Sequence, residues 1–97
     1  MMQTDVLSAH RSTAGSYYAG RTRLKAFIVT PAVSTACTFE IRNGSASADV
    51  LFTMDITSQT VANSTYILVP GEGILAANGL YLTLSVGSLT GLTVFYG

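Results

Sequence analysis

The side chains able to do chemistry in this 97-residue chain are few: one histidine, one cysteine, five carboxylates and five cations. His10 shares a short run with Asp5, Ser8, Arg11 and Ser12, so the pieces of a Ser-His-Asp relay lie within one local stretch. A working triad draws its members from separate elements that converge on one reacting atom, and neighbours along an extended segment cannot do that. His10 is therefore expected in solvent or in an interface. Asp49 and Asp55 share a pleat face, but by strand rise they stand roughly 20 Å apart, too far for a common metal or an acid–base pair. Glu72, in Pro70-Gly71-Glu72-Gly73, belongs to a turn, where it can cap a neighbour's amide or meet an arginine. No helix follows to make those glycines a phosphate cradle. Cys37, in VSTACTFEI, has no partner for an intramolecular disulfide, no second cysteine for zinc and no activating base, so a buried, inert thiol is expected. No catalytic, cofactor-binding or metal-binding residue is assigned, and the chain reads as a non-enzyme.

The cations are the one cluster. Arg11, Arg21, Arg23 and Lys25 are four of the five and fall in the first quarter of the chain. On a strand the last three share a face at a spacing of about 7 Å. The net charge is zero and the pI is near 6.5, which excludes strong long-range attraction to nucleic acid. Guanidinium groups pair well with carboxylates, so these residues, with Tyr17 and Tyr18 beside them, are expected to dock on an acidic protein surface.

The elements that must position them are strands. In RTRLKAFIVTP, Leu24, Ala26 and Ile28 oppose the cations, Phe27 and Val29 then join the cationic face, and Pro31 ends the run. Two-residue alternation recurs in TFEIRNG, VLFTMDI, LYLTLSV and LTVFY; TYILVP is apolar on both sides. Asn43-Gly44, PGEG and Asn78-Gly79 are turn signals, and TSQTVANS is a polar connection. Six or seven short strands with such turns predict an all-β domain, a small antiparallel β-sandwich or jelly roll over residues 21–97. Residues 1–20 are expected as an extended N-terminal arm or first strand. No run approaches the length of a membrane-spanning helix, and no secretion signal is evident.

Charged residues are 10% of the chain, against roughly 25% in an average soluble domain. None follows Glu72. Depletion of charge marks the centre of interfaces. The last two strands, taken as a hairpin, would present Tyr81, Thr83, Ser85, Thr93 and Phe95 outward with no charged guard at the edge. A neighbouring subunit is expected to cover that face.

RLKAFIVT, LFTMDI and ILVPGEGILAANGLYLTL, with the terminal TVFYG, resemble small β-rich virion proteins of tailed bacteriophages. The resemblance implies a structural protein of the capsid decoration, or cement, type, made in the host cytoplasm and resident in the virion. It implies a homo-oligomer, with a trimer favoured, bound to the major capsid protein, and no cofactor, membrane or nucleic-acid partner. A place in the neck, tail or fibre fits the same residues. The alternative is a carbohydrate- or receptor-binding module of a tail or fibre, stacking sugars on Tyr17, Tyr18, Tyr66 or Tyr81.

Overall fold

The computed structural model of the protein describes residues 6–58, 60 and 63–97. Asp5, and with it the postulated Ser-His-Asp group, lies outside them, as does part of the 57–64 connection. Among the described residues nine strands form: β1 (Leu7–Arg11), β2 (Gly15–Ala19), β3 (Thr22–Pro31), β4 (Cys37–Asn43), β5 (Val50–Ile56), β6 (Thr65–Leu68), β7 (Ile74–Ala76), β8 (Gly79–Val86) and β9 (Leu89–Tyr96). They make two antiparallel sheets packed as a sandwich. The first has the order β1-β9-β3-β6, with β7 also on β3; the second has the order β2-β8-β4-β5.

This order is a jelly roll. If β6 and β7 count as one interrupted strand, the pairs β1·β9, β2·β8, β3·β6/β7 and β4·β5 nest like a single long hairpin. Rolling that ribbon sends alternate pairs to opposite sheets. It also brings β3 against β9 and β4 against β8, which closes each sheet.

Two expectations change. Among the described residues no extended arm is seen: residues 7–19 supply β1 to the edge of one sheet and β2 to the edge of the other. The chain does not end in a hairpin either. β8 pairs with β2 and β4, and β9 with β1 and β3, so the Gly87 corner carries the chain from one sheet to the other. Gly87 has φ 71°, and a Cβ there would collide with the Ala36 carbonyl oxygen, so the corner accepts only glycine without strain.

The core is apolar and closely meshed. Phe27 of the first sheet meets Phe39 and Phe52 of the second at ring-centroid distances of 6.1 and 5.1 Å, both edge-on, a geometry that adds attraction beyond area burial. Leu24, Ile41, Leu80, Leu82, Leu92 and Val94 fill the space around them. Tyr17 is buried too, and its hydroxyl donates to the Leu92 carbonyl at 2.8 Å, tying β2 in one sheet to β9 in the other.

Candidate functional site

The outer faces of the two sheets differ in kind. On the second sheet, Glu40 stands level with Thr53 and Thr83, Arg42 with Tyr81, and Thr38 with Asp55. These groups satisfy one another. Arg42 donates to Glu40 at 2.6 Å, to Thr83 at 3.2 Å and to the Ala48 carbonyl at 2.9 Å. Thr83 donates to Glu40 at 3.2 Å, Thr38 to Asp55 at 2.8 Å, and Ser85 to the Thr38 carbonyl at 3.3 Å. Half-exposed ion pairs of this type add little stability, but the network leaves few unsatisfied groups for a partner.

The first sheet's outer face is built the other way. The register aligns Ser8, Phe95, Ala26 and Leu68 in one row, and His10, Thr93, Ile28 and Tyr66 in the next. Tyr66 is 59% exposed and Leu68 68% exposed. Ala26 is small enough for the rings of Phe95 and Tyr66, on strands either side of β3, to meet above it at 6.4 Å. The Nε2 end of the His10 imidazole sits over Gly91, where a Cβ would displace it.

A bulge shapes this face into a groove. Leu24 pairs with Tyr96 and Ala26 with Phe95, so Lys25 is an extra residue in β3. The bulge reverses the expected faces: Lys25 and Ala26 both turn outward, so Ala26 and Ile28 lie on the side of Arg23 and Lys25, while Phe27 and Val29 join Leu24 in the core. Opposite it the partner strand breaks: β6 ends, the Val69 N–H bonds the Lys25 carbonyl at 2.9 Å, and the chain loops through Pro70–Gly73 before β7 resumes. The result is an open groove of about 680 Å³. Ala26 is its floor, Tyr66, Leu68, Phe95 and Val6 its apolar walls, and Arg23, Lys25 and Glu72 its charged end. Among the described residues the one ion pair is Arg42–Glu40, so the groove's three charges face solvent without one another.

The expected docking set is therefore dispersed. Arg11 folds back on the β1–β2 turn, donating to the carbonyls of Thr13 and Ala14 at 3.0 and 3.1 Å across Gly15. Tyr17 is in the core, and burial pushes its hydroxyl pKa well above the usual range, the nearby Arg11 pulling weakly the other way. Tyr18 is exposed, its ring 5.1 Å from that of Tyr96. Arg21 is exposed in the turn before β3, so only Arg23 and Lys25 of the cationic trio come together. The expected subunit-contact set also divides: Tyr81, Thr83 and Ser85 belong to the polar face, Thr93 and Phe95 to the apolar one. Leu68, Val6 and Glu72 were absent from both sets. The signal for Leu68 was present in TYIL, apolar on both sides in an edge strand.

Cys37 is buried, and burial raises its thiol pKa, which is the inert state expected of it. Among the described residues there is no group of three or more metal-ligating side chains and no helix long and apolar enough to cross a membrane. No protein-family model, curated protein or solved structure matches the chain.

Proposed function

We propose that this chain is a non-enzymatic structural protein of a virion, of the capsid-decoration kind, which works by adhesion to its own copies and to the major capsid protein. The observation that carries the reading is the contrast between the two outer faces: one satisfies its own polar groups, and the other exposes aromatic and aliphatic side chains around a groove. Covering such a face gains about 25 cal/mol for each Å² of apolar surface, less the large cost of association. A lattice multiplies the surplus, because every additional contact of an assembled array forms at high effective concentration. The jelly-roll body supports the reading by analogy alone, since capsid and lectin domains share it.

Arg21 and Tyr18, both exposed near the start of β3, are the members of the expected docking set left free to meet an acidic capsid surface. The test is co-sedimentation of the purified chain with emptied capsids of the virus that encodes it. Saturable binding at a fixed ratio to the capsid protein is expected, weakened by Arg21→Ser and by salt. A chain indifferent to capsids at all salt concentrations overturns the reading.

A second reading has its own observation. Tyr66 presents an exposed ring in a concave site beside Glu72 and Lys25, the combination of stacking platform and polar groups that suits a sugar. Glycan binding lost on Tyr66→Ala, with capsid binding absent, would favour it.

A further inference from the structure

We propose that the outer face of the β1-β9-β3-β6 sheet binds the same face of a second copy about a two-fold axis, with Lys25 of each copy set against Glu72 of the other. This deepens the assembly reading by naming the self-partner and the surface it uses.

Three properties of the face point to its own copy as occupant. The first is shape. A two-fold contact requires one patch to hold both a projection and the recess that receives it. Leu68 and Tyr66 project from the edge strand, while the Lys25 bulge and the Pro70–Gly73 loop leave a recess floored by Ala26 directly beside them. The second is charge. Arg23 and Lys25 stand on β3 at the same end of the groove as Glu72 in the loop. Both signs in one patch make it complementary to itself, and the zero net charge of the chain removes long-range repulsion between copies. An acidic or basic partner would match only half of the patch.

The third is size. Four strands at about 4.8 Å, each contributing about six residues at 3.4 Å, cover roughly 400 Å² in projection per copy. Side-chain relief adds to that. Over both copies the projection is roughly 800 Å², below the standard interface size and in the range of weak, transient contacts, which suits a reversible dimer strengthened by a lattice. The polar face of the other sheet then stays in water, and the end carrying Arg21 stays open for the capsid.

Sedimentation equilibrium over a concentration series provides the test. The wild-type chain is expected to form a reversible dimer. Lys25→Glu and Glu72→Lys are each expected to weaken it at least about tenfold, because the two-fold axis repeats every like-charge contact. Mixing the two variants is expected to restore it: a heterodimer of K25E with E72K pairs opposite charges at both places, whereas an interaction within one chain would gain nothing from mixing. Leu68→Ser, at a site already exposed, is expected to weaken the dimer without unfolding the chain. A monomer at all concentrations, a trimer, a dimer insensitive to Leu68→Ser, or single variants that fail to recover on mixing each overturn the proposal. Capsids are absent from this experiment, so a monomer that still binds capsids overturns the face pairing and leaves the decoration role standing. A dimer indifferent to capsids does the reverse.

Discussion

Replacing Tyr17 by Phe removes one oxygen from the interior and separates a structural role for this residue from a docking role. The hydroxyl donates to the Leu92 carbonyl at 2.8 Å in a buried setting, joining the two sheets. Its loss removes a net contribution of about 1 kcal/mol and leaves a carbonyl short of its partner, so the combined cost is about 1–3 kcal/mol. In a domain of this size each kcal/mol lowers Tm by about 4–8 °C, so a fall of about 4–24 °C is expected. Scanning calorimetry at fixed protein concentration measures it, since any self-association adds to apparent stability. The pH profile supplies a second reading. Burial raises the Tyr17 pKa in the folded state above its ordinary value of 10.0, with Arg11 opposing. The folded state favours the protonated form, so this stabilisation is complete below about pH 10 and is lost as pH rises through the folded-state value. Phe cannot ionise, and the gap between the two proteins should narrow above pH 10. A Tm within a degree or two of wild type, with a gap independent of pH, would refute the inter-sheet bond. Reduced capsid binding by a fully folded Y17F protein would return the residue to the docking surface.

Phe39→Ala removes the ring that meets Phe27 across the sandwich and Phe52 on the neighbouring strand of its own sheet, and a loss of about 3–5 kcal/mol in urea unfolding is expected; a loss below about 1 kcal/mol would contradict the close packing. Gly87→Ala forces a Cβ into the Ala36 carbonyl at φ 71°, and a cost of at least about 1 kcal/mol should appear in the same assay, while neutrality would mean the corner can relax.

The chain's alternation by itself determined that the elements would be strands and, in β8 and β9, much of what would face inward; in β3 the Lys25 bulge reversed the expected faces. Leu80, Leu82, Leu92, Val94 and Tyr96 are buried as their spacing requires. Asn43-Gly44 was legible as a turn, and its glycine reaches φ 93°. Only the tertiary structure decided which strands share a sheet. Backbone N–H and C=O groups are the same in every residue, so neighbouring apolar strands such as β8 and β9 carry no local mark of whether they pair with each other or with distant partners. The roll separated them, and that separation divided Tyr81, Thr83 and Ser85 from Thr93 and Phe95. The same holds for Lys25 and Tyr17. A bulge adds one residue to one strand relative to its partner, and a buried hydroxyl needs a carbonyl 75 positions away; neither relation exists until the two sheets are packed.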